Sequence, residues 1–140
     1  MQHHTGWIIA IMVAALPLAG CGKSTAKSVA ESPASVEKHE SGIGRITLKG
    51  RAAERLGIEF VEVTKSGQRL EAPYSALLYD ASGREWVFIS PQPNVFTRTD
   101  IKVEVIEGDK IYYSQGPAAG TKLVTSGIAQ LYGIEFGVGK

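Results

Sequence analysis

Apolar residues fall along this chain in three regimes. Residues 7–18 (WIIAIMVAALPL) form one nearly unbroken apolar run. A bilayer span needs roughly 20 such residues, and Pro17 disfavours a stable helix, so the run has the length of a signal-peptide core. Residues 22–41 are Ser, Ala, Lys, Glu and Pro, with almost no large apolar side chain. Such a stretch cannot bury enough surface to offset its ordering entropy, which predicts a flexible tether. From Ile43 onward, short apolar segments alternate with Gly- or Pro-containing breaks, the pattern of a β domain.

Within that last regime, residues 43–48 read as a strand. Residues 51–56 (RAAERL) read as one or two helical turns that Gly57 is placed to end. Residues 58–63 (IEFVEV) form a strand with imperfect alternation, since Val61 falls opposite Ile58 and Phe60. Ser66 and Gly67 make a turn, and Pro73 puts residues 70–78 at a strand start or a sheet edge. Residues 80–83 (DASG) predict a hairpin turn into residues 85–90 (EWVFIS), the clearest buried strand. Residues 96–105 read as one strand, bulged near Thr99, with Phe96, Ile101, Val103 and Val105 inward. Further strands are expected at 111–114 and 122–125, and 128–136 reads as a final strand or a short helix. The sum is a mainly β fold: a small β-barrel or β-roll of about seven or eight short strands and one short helix, after a disordered tether.

The boundary between the first two regimes carries the one sharp motif. Leu18, Ala19 and Gly20 precede Cys21, the only cysteine among 140 residues. Small residues before a lone Cys resemble the bacterial lipobox, which implies a diacylglycerol on the Cys21 thiol and cleavage before it. The expected organisation is therefore a signal peptide at 1–20, a lipidated tether at 21–42 and a β-domain at 43–140. One departure is an N-terminal stretch without Lys or Arg, holding only His3 and His4. Gly22 follows the cysteine where an Asp would direct retention in the inner membrane, so the periplasmic face of the outer membrane is favoured. A single Cys excludes an internal disulfide. Net charge is +1 with acids and bases interspersed, which argues against a nucleic-acid partner.

A second resemblance spans most of the β region. Glu71, Ala72, Pro73, Tyr74, Ser75, Ala76, Leu77, Leu78, Tyr79 and Asp80, then Gly83 and Trp86-Val87-Phe88, resemble the membrane-proximal domain of periplasmic adaptor subunits of efflux pumps (membrane fusion proteins). Downstream, Phe96-Thr97-Arg98, Gly116, Gly120, Leu123-Val124-Thr125 and Ser126-Gly127 are similar to that family's closing stretch. Upstream, Ala53-Glu54-Arg55-Leu56-Gly57-Ile58 is similar to the segment that opens the family's β-barrel domain. Full adaptors also carry a lipoyl-like domain and a long helical hairpin. Here only a short turn joins Val63 to Leu70, leaving room for neither. The resemblance implies an accessory protein that docks on an efflux transporter or adaptor subunit.

The residues offer little catalytic chemistry. Met1 and Met12 lie in the predicted signal peptide, and His39 is the one imidazole after Cys21, so no metal site is expected. Ser75, Ser82 and Ser126 have no other imidazole to activate them. Glu85, Asp100 and Glu104 read as a solvated face rather than a hydrolytic pair. Residues 116–120 lack the Lys-Ser/Thr pair of a phosphate loop. The expectation is a non-enzymatic protein with no cofactor beyond the lipid. Trp86 and Phe88 are expected in the core, while Tyr74, Tyr79, Tyr112 and Tyr113 are the candidate partner contacts. The alternative expectation is a periplasmic β-domain that binds a small ligand or a cell-wall component.

Overall fold

Strand formation here follows from which residues find cover on two faces. A computed structural model describes residues 32–138. The segment expected to be a signal peptide, Cys21 and the first part of the expected tether lie outside these described residues. The elements are β1 (Ala34–Lys38), β2 (Gly44–Leu48), α1 (Ala52–Arg55), β3 (Glu59–Glu62), β4 (Thr64–Ser66) and β5 (Arg69–Pro73). A 3₁₀ turn at Tyr74–Ala76 leads to β6 (Leu78–Tyr79), β7 (Glu85–Gln92) and β8 (Val95–Asp100). The chain continues through β9 (Lys102–Glu107), β10 (Lys110–Gln115), β11 (Lys122–Ser126) and α2 (Ile128–Phe136).

The larger sheet runs β1-β2-β8-β7-β11-β3, with β6 also paired to β7; the smaller runs β4-β5-β10-β9. Every pairing is antiparallel. Two of the chain's passages between the sheets are made by a single residue. Val63 joins β3 to β4, donating its N–H to the Thr121 carbonyl at 3.0 Å and accepting from the Gly120 N–H at 2.9 Å. Ile101, buried, joins β8 to β9. The single strand expected over residues 96–105 is thus two strands in different sheets. Its inward Ile101 is the crossover point, and Val105 is only half-buried.

The larger sheet is the middle of three layers. One face packs on the smaller sheet through Val87, Leu123, Ala72, Ile111 and Tyr113. The other packs on α1 and α2 through Ile46, Phe88, Phe96, Val124, Ala52 and Leu131. Being covered on both faces explains why Trp86, Val87 and Phe88 are all buried in succession.

The mainly β class holds, with three corrections. The sheets do not close into a barrel: β1 and β3 end one sheet, and β4 and β9 end the other. The described residues contain eleven strands and two helices, against the seven or eight strands and one helix expected; of the two forms expected for residues 128–136, the helix is the one found, as α2. The segment expected as tether up to residue 42 is structured from Ala34, since β1 pairs along β2 from Ala34↔Leu48 to Lys38↔Gly44. Gly127 starts α2 with φ +81°, and a Cβ there would lie 2.3 Å from Ile58 Cδ1. Only glycine fits that corner.

Candidate functional site

The most chemically loaded surface lies where α2 crosses the helix-facing side of the larger sheet. Register sets its floor. Phe88 on β7 stands opposite Arg98 on β8, and the neighbouring inward positions are Trp86 and Phe96. Arg98 therefore points under α2 among aromatic side chains, where a charge requires a partner. Glu135 on α2 supplies it. Arg98 Nε donates to Glu135 Oε2 at 2.9 Å and Nη2 donates to Oε1 at 3.2 Å. The two side chains are only 6% and 1% exposed. Glu135 Oε1 also accepts the Gly44 N–H at 3.0 Å, tying α2 to β2. The guanidinium lies 4.1 Å from the Trp86 ring centre, 5.3 Å from Phe136 and 5.7 Å from Tyr132.

The turn between β6 and β7 forms the rim. Asp80 accepts hydrogen bonds from the Trp86 indole N–H at 2.9 Å, the Ser82 hydroxyl at 2.6 Å and the Arg84 backbone N–H at 3.0 Å. Its second carboxylate oxygen also takes the Arg84 Nε–H at 3.0 Å. The hydrogen bond from Ser82, then that from Trp86, hold the Asp80 carboxyl well below the usual carboxylate range. Arg84 covers Trp86 from 5.0 Å, so two guanidinium groups contact one indole.

Floor and rim enclose a cleft of about 400 Å³. Its two cations are each matched by a carboxylate. Arg98 lines the cleft with Nε and Nη2 held by Glu135, which leaves Nη1 as its one guanidinium nitrogen without a hydrogen bond among the described residues. The arrangement suits one hydrogen-bond acceptor against aromatic walls. The Ser82 hydroxyl at the cleft's rim donates to Asp80. Among the described residues, no three of His, Cys, Asp and Glu gather to hold a metal ion. No described helix is long and apolar enough to cross a membrane.

The candidate tyrosines do not converge on this cleft. Tyr74 and Tyr79 are exposed and near each other, with the Tyr79 hydroxyl pushed up by burial and then by Glu85 and Tyr74. Tyr79 pairs with Glu85 while Leu78 pairs with Trp86, so Tyr79 faces away from Arg98. Tyr112 is half-buried beside Arg69 and Glu107. Tyr113 is a correction: it is fully buried and is no partner contact. The alternation of β10 turns Ile111 and Tyr113 inward, and the Tyr113 hydroxyl donates to the Pro117 carbonyl at 2.8 Å. Burial pushes that hydroxyl up to about 12.

Sequence reasoning passed over Arg98 and Glu135 as a pair. The available signal was a charge two residues from Phe96, in phase with an inward face. It also passed over β3 as a surface. All four β3 residues are exposed, with Phe60 at 45% and Val61 at 36%. Phe60 lies parallel over Phe96 at 6.1 Å between ring centres. No family model, curated protein or solved structure matches this chain.

Proposed function

We propose that this chain is a non-enzymatic, lipid-anchored accessory protein of a bacterial envelope, which acts by docking on an efflux transporter or adaptor subunit. The lipobox-like stretch ending at Cys21 supports the anchor and the periplasmic face of the membrane. The likeness of residues 43–135 to the membrane-proximal part of efflux adaptors supports the kind of partner. The observation that carries the reading is the open sheet edge at β3, where Phe60 and Val61 stand exposed on adjacent positions of one strand. Exposed apolar edges of this kind are interaction surfaces or aggregation hazards.

Affinity purification of the lipidated chain from gently solubilised membranes, followed by mass spectrometry, tests the reading. It requires a transporter or an adaptor subunit among the recovered proteins, and recovery of neither overturns it. Metabolic labelling with a radioactive fatty acid tests the anchor, with Cys21→Ser expected to abolish incorporation.

A second reading, capture of a small ligand or cell-wall fragment, is favoured by the cleft in which Arg84 and Arg98 lie among Trp86, Tyr132 and Phe136. A few convergent polar groups among apolar walls are the usual make-up of ligand sites. Native mass spectrometry of protein purified without dialysis would show a bound molecule, lost in Arg84→Ala, if this second reading holds.

A further inference from the structure

We infer that the free edge of β3 receives an extended segment of the docking partner as an added strand, and that this segment reads basic–apolar–apolar–basic. The inference rests on the docking reading and specifies its chemistry.

The backbone comes first. Val63 directs both its N–H and its C=O toward the Thr121 and Gly120 side of the sheet. Antiparallel strands alternate the direction of these groups residue by residue, so Val61 points the same way and Phe60 and Glu62 point outward. Among the described residues no strand lies beyond β3. The outward N–H and C=O groups of Phe60 and Glu62 are the template that strand addition uses.

The side chains set what can be added. Phe60 pairs with Val124, on the helix-facing side, and Val61 pairs with Leu123, on the side of the smaller sheet. An added strand with two adjacent apolar residues covers both at once. Beside Phe60 is a hollow of about 740 Å³ walled by Ala53, residues 89–94 at the end of β7 and its turn, and Lys122, with space for an aliphatic side chain.

Charge decides between occupants. Glu59 and Glu62 bracket the apolar pair; Ser126 stands opposite Glu59 and Lys122 opposite Glu62 on β11, and no ion pair joins either glutamate to a described residue. A second copy of β3 would bring four carboxylates into one two-stranded ladder, against one cross-strand cation per copy, Lys122 on the inner neighbour β11. Like charges across a ladder destabilise it and opposite charges stabilise it, so a partner strand with flanking Lys or Arg fits and self-pairing does not. The other sheet edges lack this combination. β4 has three residues, β1 carries charges of both signs, and the pairing of β9 with β10 is interrupted by register shifts.

The test uses the purified full chain and a fluorescent synthetic peptide, Ser-Lys-Val-Ile-Lys-Ser, with Ser-Glu-Val-Ile-Glu-Ser as its acidic counterpart. Fluorescence anisotropy is expected to show saturable binding of the basic peptide, weakened about tenfold or more by the double substitution Glu59→Lys/Glu62→Lys, which in turn binds the acidic peptide. Both positions are exposed; because Glu62→Lys would face Lys122, the single variant Glu59→Lys, opposite Ser126, is measured beside it and is expected to weaken the basic peptide in the same direction. Hydrogen exchange is expected to show the Phe60 and Glu62 amides gaining protection with peptide bound. Equal binding of the two peptides, no binding, or protection elsewhere overturns the inference. If the double variant recovers a transporter or adaptor from membranes as well as the unsubstituted chain does, docking stands and the β3 strand falls. If the unsubstituted chain recovers neither, the docking reading falls and takes this inference with it.

Discussion

Arg98 and Glu135 cost the fold desolvation and return rigidity in exchange. Two charges taken out of water lose several kcal/mol each, and their attraction recovers that only with good geometry and further contacts. Here the geometry is a two-point pair, Glu135 takes a third hydrogen bond from Gly44, and the guanidinium lies against Trp86. Removing one partner leaves the other charged and buried, so Glu135→Ala is expected to destabilise by about 3–5 kcal/mol. Total stability of a domain this size is about 5–15 kcal/mol, which makes that single change a large fraction of it. The double variant Arg98→Met/Glu135→Leu replaces the pair with apolar volume and is expected to recover most of the loss. Urea denaturation of the three proteins checks this. A double variant no more stable than Glu135→Ala would mean the pair contributes net attraction rather than a matched burial. The pair is close-packed on its Gly44 side, where a Cβ would come within 2.9 Å of Glu135 Cγ.

Among the elements, two corners carry most of the local constraint. At Gly127 the entry to α2 has φ +81° and no space beyond Cα. Gly127→Ala is expected to lower stability by roughly 2–3 kcal/mol, combining backbone strain with overpacking. Ile58→Val deletes the methyl group that the new Cβ would strike. In the Gly127→Ala background its effect should therefore be smaller than in the unsubstituted chain, a coupling that thermal melts of the four proteins measure. At the β6–β7 turn, Asp80 has a folded-state pKa depressed below its unfolded value, chiefly through Ser82 and then Trp86. Its contribution is present in full above the unfolded value of about 3.9 and is lost progressively as pH falls below it. Asp80→Asn is expected to flatten the pH dependence of the denaturation midpoint between about pH 4 and 2, and an unchanged slope would show that other carboxylates govern it.

The same elements show what a linear pattern can and cannot reveal. The 85–90 strand was legible because consecutive apolar residues need cover on both faces, and the turns at Gly67 and Gly83 were legible from local chemistry alone. β1 was not legible. Only Ala34 and Val36 of its five residues turn toward the core, and its Ser, Glu and Lys match a solvated tether. The 128–136 segment mixes helix formers with aromatic and β-branched residues, so its period was ambiguous until α2 packed Leu131 against the sheet. The Arg98–Glu135 pair joins positions 37 residues apart, a separation that pattern reading does not reach. Tyr112 and Tyr113 were indistinguishable until the pairing of β10 with β5 and β9 chose a face for each.

For the described domain as a unit, the larger sheet belongs to two cores at once, and that arrangement has a measurable consequence. Val87 and Phe88 are neighbours in β7, yet Val87 packs toward the smaller sheet and Phe88 toward the helices. If the layers were independent, a cavity made on one side would loosen only that side. With a shared middle layer, any opening that frees β7 exposes both cores, so loss of either is a global event. Val87→Ala removes two methyl groups from a site with no solvent exposure and is expected to cost about 1–3 kcal/mol. Native-state hydrogen exchange should show that cost equally at Tyr113 in the smaller sheet and at Leu131 in α2, whose N–H bonds the Gly127 carbonyl. An effect confined to Tyr113 would mean that the helical layer opens separately, leaving the Arg98–Glu135 pair as a latch rather than a part of one cooperative core. Equal effects would mean that the platform behind β3 is rigid. A docking strand would then meet an edge already fixed in position and would bear little ordering cost beyond its own.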